Sequence, residues 1–241
     1  MELLIVALFA LCIGSFLNVV IYRLPKSLNI ALPASHCPSC KKRLRFWHNI
    51  PVVSFLLLKG HCFTCKKPIS WRYPLIEILT VILSIIALIQ IGWQILLLPV
   101  LILTYALIAL TFIDIDEQIL PDIITIPLLG LGLALNSFGF FTSPVEAIWG
   151  MLIGFSSLYL IDGLYYLIRK RHGIGMGDFK LLAALGAWLG ASALVPVILI
   201  ASLLGILCAI ILMVFKRLKY DTPIPFGPFL AIAAWGYLIC M

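Results

Sequence analysis

Charged positions are so sparse along this chain that the intervals between them outline its elements. Four stretches contain no Asp, Glu, Lys or Arg: Ile78 to Ile113, Ile123 to Val145, Leu181 to Phe215 and Thr222 to Met241. Met1 to Tyr22 carries only Glu2, and Val145 to Ile168 only Glu146 and Asp162. A helix needs about 20 apolar residues to cross a bilayer. The first and third stretches are therefore each long enough for two crossings, with breaks expected at Gly92 and between Gly190 and Pro196. The pattern predicts about eight helices, over 2–22, 74–91, 93–113, 123–141, 145–168, 179–192, 194–215 and 226–240. The expected class is all-α: a polytopic membrane protein whose first transmembrane helix is 1–22, with an extramembrane segment at 23–73 and a transmembrane core of about seven helices over 74–241.

Composition removes the soluble alternative. Hydrophobic residues make up 63% of the chain and charged ones 11%, with a mean hydropathy of +1.16, outside the globular range. The net charge of +7 reports topology rather than nucleic-acid binding. Ten of the 17 Lys and Arg lie between Arg23 and Arg72, three at Arg169 to Arg171, one at Lys180 and three at Lys216, Arg217 and Lys219. With eight spans and an external N-terminus, all of these segments fall on one side, which the positive-inside rule makes the cytoplasm. The first segment has Glu2 in place of a basic leader and no small-residue cleavage site near Asn18 to Pro25, so it is expected to be retained as a helix.

The 23–73 segment contains Cys37-Pro38-Ser39-Cys40 and Cys62-Phe63-Thr64-Cys65, two C-x-x-C pairs separated by 21 residues. Each pair presents two thiolates to one ion, and two such turns close a tetrahedral site. On the cytoplasmic side disulfides are disfavoured, so Cys37, Cys40, Cys62 and Cys65 are read as ligands of a structural zinc in a small zinc-ribbon-like domain. His36, His48 and His61 flank it as surface or packing residues. Cys12, Cys208 and Cys240 fall in predicted spans as small core residues.

Three acidic features remain. Asp114 directly follows a long uncharged run and is placed at the cytoplasmic boundary; Asp122, after Pro121, is expected to cap the next helix. Gly173-Ile174-Gly175-Met176-Gly177-Asp178-Phe179-Lys180 lies at the same face by the same topology, so Asp114 and Asp178 are predicted to converge. Two carboxylates within a few ångströms cannot both ionise cheaply; they share a proton, one activating water and the other protonating a leaving group. The alternating glycines leave a loop without side chains, where an extended peptide backbone can approach; Gly175, Gly177 and Lys180 are the candidate substrate contacts. Asp162 is either a third member of this site or the buried partner of a polar group. Glu77 either complements a helix dipole or binds a ligand, and the amide of Asn18 inside a span seeks a partner. Acids inside spans also fit a proton-coupled transporter, but that reading predicts inverted repeats and midplane acids, and here the acids gather at one edge.

Taken together, Gly175-Met176-Gly177-Asp178, Asp114 with Leu120-Pro121-Asp122, the two Cys pairs, Gly14-Ser15-Phe16 through Arg23-Leu24-Pro25, and Pro223-Ile224-Pro225-Phe226-Gly227-Pro228-Phe229 resemble the bacterial type IV prepilin leader peptidases and N-methyltransferases, a family of G-x-G-D membrane aspartic proteases. The resemblance covers nearly the whole chain. It implies an inner-membrane enzyme that cleaves the basic leader of type IV prepilins, pseudopilins or competence pilins at the cytoplasmic face. It also implies S-adenosylmethionine-dependent N-methylation of the new N-terminus. By motif match the catalytic pair falls on Asp114 and Asp178, and Glu77, Asn18 and Arg23 are candidates for holding the methyl donor.

Overall fold

The computed structural model describes residues 1–37, 39–215 and 224–240; Lys216, Arg217, Lys219 and Pro223, which entered the topology and motif readings, lie outside them. Among the described residues the helices are α1 (Glu2–Arg23), α2 (Val53–Leu57), α3 (Arg72–Ile91), α4 (Leu97–Glu117), α5 (Asp122–Asn136), α6 (Pro144–Arg169), α7 (Met176–Leu189), α8 (Ala191–Val214) and α9 (Gly227–Cys240). The all-α expectation holds: the described residues form no strand, only two isolated antiparallel bridges at His36 with Arg43 and His61 with Pro68. Helices α1, α3, α4, α6 and α8 are long and apolar enough to cross a membrane. At about 1.5 Å per residue, α5, α7 and α9 run only about 21 to 23 Å.

The chain divides into two compact units, Met1–Ala109 and Leu110–Met241, with the boundary inside α4. In the first, α1 packs along α3. Gly14 is the point of closest approach, since a Cβ there would lie 2.8 Å from the Glu77 Cα and 3.2 Å from the Thr80 hydroxyl. The absence of a side chain at Gly14 thus admits the neighbouring backbone of α3. Thr80 and Ser84 donate their hydroxyls to carbonyls one turn back in α3, at 2.7 Å each, so the polar side chains on its buried face are satisfied locally. Cys12 and Cys240 are exposed rather than in the core, as befits helix faces that meet lipid.

The second unit is built around α7. From Leu181 to Leu189 every residue is buried, the signature of a helix apolar all round and enclosed by others. Helix α6 lies along it, burying the stripe Ala147, Gly150, Gly154, Leu158 and Asp162. A Cβ on Gly150 or on Gly186 would collide with the backbone carbonyl of the other, so both positions require glycine. On the other side Trp188, fully buried, donates its indole N–H to the Leu128 carbonyl of α5 at 2.7 Å. Asn136 donates to the Ala187 and Trp188 carbonyls at 2.8 and 2.9 Å and accepts from the Phe141 and Thr142 amides. That amide ends α7 and turns the chain out of α5, which is why α5 stops at Asn136 rather than continuing to 141. The break between α7 and α8 falls at Gly190, whose φ is +87°, and Pro196 sits inside α8.

Candidate active site

Asp114 lies in the last turn of α4 and Asp178 in the first turn of α7, both buried at 5% and 9% exposure. They belong to one cluster, in which Asp114 is among the charges that act on Asp178. Leu120 is the wedge at its centre: a Cβ on Gly177 would be 2.8 Å from the Leu120 Cβ, and one on Gly227 would be 3.3 Å from its Cδ2. The Gly227 amide donates to Asp114 Oδ2 at 3.0 Å. A side chain at 227 would stand 2.7 Å from that same oxygen. The Pro-Gly-rich entry to the last helix figured in the sequence only as a family motif; its contact with the Asp114 carboxylate spans more than a hundred residues. Asp178 Oδ1 is buried and has no hydrogen-bond partner among the described residues. A buried acceptor left unpaired is costly in structural terms and is what a general base requires.

The remaining residues around α7 sort differently from expectation. Lys180 is paired with both oxygens of Asp122 at 2.7 and 2.8 Å. Asp122 is therefore the partner of a cation on α7, and it makes no capping bond at the start of α5. Asp162 accepts from His172 Nδ1 at 2.6 Å and from the amides of Gly173 and Ile174 at 2.7 and 3.1 Å. His172 is thus bound to an acid, and Asp162 is the buried partner rather than a third free carboxylate. Gly175 caps α7, and its carbonyl accepts from the Asp178 amide at 3.1 Å.

In the first unit the two cysteine pairs form matching turns. Cys37 and Cys62 receive and donate the same backbone bonds: Cys37 N to Lys42 O and Lys41 N to Cys37 O, Cys62 N to Lys67 O and Lys66 N to Cys62 O, at 2.8 to 3.0 Å. Lys41 and Lys66 close the turns with positive φ of 55° and 57°. The four sulfur atoms all lie within 4.8 Å of one another, and Cys37 and Cys65 are 3.8 Å apart. Tetrahedral zinc with bonds of about 2.3 Å puts its sulfurs about 3.8 Å apart, so the cluster fits that ion. The Cys65 and Thr64 backbone N–H groups bring the Cys62 thiol down to about 6. Cys65 is pushed up to about 11, the lowering by the Lys67 amide being outweighed by desolvation and by the sulfurs of Cys62, Cys40 and Cys37. Four crowded thiols thus resist ionising together unless a cation joins them. His36 and His61 occupy equivalent places before each pair, with Nδ1 against the Ala34 and Lys59 carbonyls, outside the sulfur cluster.

The same unit encloses a cavity of about 410 Å³ whose wall includes Asn18, Arg23 and Glu77 with Tyr22, Phe55 and Tyr73. The three predicted cofactor residues are thereby brought to one place, although each also holds structure. Arg23 donates to the Asn29, Ile30 and Pro33 carbonyls, and Asn18 to those of Gly14 and Tyr73. Glu77 is not a helix-terminal charge: it is buried in α3 and accepts from the Val52 amide at 2.7 Å.

Apolar helices long enough to cross a membrane, two buried carboxylates at a glycine-lined entry in one unit and a four-thiol cluster in the other define an integral membrane protein equipped for acid–base chemistry. The chain belongs to the type IV leader peptidase family. The model of that family matches residues 101–210, and that of the bacterial peptidase A24 N-terminal domain matches residues 8–91. The chain is 44% identical to a prepilin leader peptidase/N-methyltransferase of Neisseria gonorrhoeae, over 95% of this chain and 87% of that protein. It is likewise 44% identical to the protein of the same name in Aeromonas hydrophila, over 98% and 89%, and 42% identical to that of Pseudomonas aeruginosa, over 96% and 88%. No solved structure matches.

Proposed function

We propose that this protein cleaves the leader peptide of type IV prepilins and N-methylates the terminus so exposed, with Asp114 and Asp178 as the catalytic pair of the first reaction. The observation that carries the peptidase assignment is the pairing itself: two buried carboxylates in one cluster, one fixed by the Gly227 amide and the other with an oxygen left unpaired. Sharing one proton, the ionised member takes a proton from water as the water oxygen adds to the scissile carbonyl, and the protonated member donates to the carbonyl oxygen. Collapse of the tetrahedral intermediate breaks the C–N bond, and a proton returns to the leaving amine. Gly175, exposed at the entry to α7, and the half-buried Gly177 are assigned to the contact with the extended substrate backbone, while Lys180 acts through its pair with Asp122. Family membership leaves the transporter alternative without support.

For the second reaction, the cavity bounded by Asn18, Arg23 and Glu77 is assigned to S-adenosylmethionine, which supplies the methyl group. Its volume is in the range of small-molecule sites and its lining combines aromatic faces with a few fixed polar groups. Cys37, Cys40, Cys62 and Cys65 hold a structural zinc ion. The protein is placed in the inner membrane with its N-terminus outside and its active site at the cytoplasmic face, in line with its basic segments; pseudopilins and competence pilins are included among the substrates.

The test is co-expression with a prepilin, reading both cleavage and the mass of the new N-terminus. Asp114→Asn and Asp178→Asn should each lower cleavage by about 10³-fold or more while the protein still inserts. Full processing by either variant sinks the peptidase assignment, and an unmethylated product removes the second activity.

A further inference from the structure

The peptidase chemistry leaves one buried acid unused. Asp162 sits near the end of α6, where Leu160, Ile161, Leu164, Leu167 and Ile168 are exposed as lipid-facing residues, yet its own side chain is 6% exposed. The packing register explains where it goes. Along α6, Gly150 meets Gly186, Gly154 meets Leu182 and Ala183, and Phe155 and Tyr159 set their rings edge-on to Phe179. One turn further on, the stripe Ala147, Gly150, Gly154, Leu158, Asp162 runs off the start of α7 and meets the chain that enters it. There one carboxylate gathers three donors from three consecutive residues: His172 Nδ1 on Oδ2, and the Gly173 and Ile174 amides on Oδ1. Two contacts with aromatic rings back this up. The His172 ring stacks on Tyr166 at 4.7 Å and 19°, and a Cβ on Gly173 would lie 3.0 Å from the Tyr165 ring, which would have to shift to admit a side chain there.

We propose that Asp162 is the positioning residue of the peptidase, a clamp that fixes residues 172–174 against α6 and so sets where Gly175 and Asp178 stand. The case rests on the reading of Asp178 as one of the catalytic pair. Helix α7 begins with no side chain at its N-cap, since Gly175 has none to offer; the Asp178 carboxylate reaches back to the Gly175 backbone and leaves Oδ1 unpaired. The side-chain hydrogen bonds that hold the Gly173 and Ile174 amides, just before this N-cap, are those to Asp162. A site held by a neighbouring acid in this way loses rate when the acid loses its acceptor oxygens, without losing its grip on a substrate anchored elsewhere.

The distinguishing pair of variants is Asp162→Leu, which keeps the branching at Cγ and suits a lipid-facing helix but accepts nothing, and Asp162→Asn, which keeps the oxygen that serves Gly173 and Ile174. With the full-length protein in detergent micelles and a purified prepilin, Asp162→Leu is expected to lower kcat about tenfold or more with KM changed less than about threefold. Backbone hydrogen–deuterium exchange should rise within 173–178 and not in Leu181 to Leu189. Asp162→Asn, and His172→Ala, which leaves both amide bonds in place, should stay within about threefold of the parent. Unchanged exchange at 173–178 in Asp162→Leu, faster exchange there with undiminished kcat, or equal loss in Asp162→Leu and Asp162→Asn each overturns the proposal. Exchange does not depend on catalysis, so an active Asp178→Asn variant would remove the catalytic assignment while leaving the clamp itself measurable.

Discussion

A single oxygen shows how tightly the site is specified at the scale of the residue. Asp114 Oδ2 accepts from the Gly227 amide, and a methyl group at 227 would come within 2.7 Å of it, closer than side chains approach. Gly227→Ala is therefore expected to reduce prepilin cleavage by about a hundredfold, whereas Gly236→Ala in the same helix, where nothing lies within 4 Å, should leave it unchanged; a time course of leader removal in membranes compares the two. What the sequence made legible here was uneven. Asp114 and Asp178 stood out because a carboxylate at the end of a long uncharged run is expensive, and the four cysteines because their spacing is a ligand pattern. Gly227 and Leu120 were legible only as members of family motifs and Asn136 not at all, since a backbone donor, an apolar wedge and an amide inside an apolar run gain their roles only from partners far away in the chain. Lys180 and Asp122 were each visible, but their pairing across 58 positions was not.

At the scale of the element, the central position of α7 follows from the absence of side chains on its neighbour. Periodicity located this helix and missed its ends by a few residues, because a helix apolar on every face has no polar stripe to mark them. It could not say that α7 is enclosed, which depends on the glycine contact with α6. Gly186→Leu should prevent that contact and lower the melting midpoint in detergent by several degrees or block accumulation altogether, a core overpacking effect of about 3 kcal/mol or more. Gly163→Leu on α6, with open space around it, should be tolerated. Differential scanning of the two purified variants separates the outcomes, and equal behaviour would remove the close approach as the reason for the glycines. The short lengths of α5, α7 and α9 have a related origin: each ends at a glycine, a proline-rich entry or a side-chain cap rather than where its apolar run ends.

At the scale of the molecule, the cavity proposed for the methyl donor and the proposed catalytic pair fall in different units of the chain. The cysteine cluster and the 410 Å³ cavity lie within Met1–Ala109, and the aspartates within Leu110–Met241. Replacing Cys37 and Cys62 by Ser should abolish zinc content by elemental analysis. It should also impair N-methylation, read as a missing methyl mass, by about tenfold more than it impairs cleavage; equal loss of both activities would show that the peptidase depends on the cysteine segment too. The bond between Gly227 and Asp114 has a further consequence in the order of synthesis. Asp114 leaves the ribosome more than a hundred residues before the amide that holds it, so both aspartates can reach the membrane while one carboxylate still lacks its partner. On the proposed assignment of Asp114, hydrolytic competence then arrives last, when α9 is delivered.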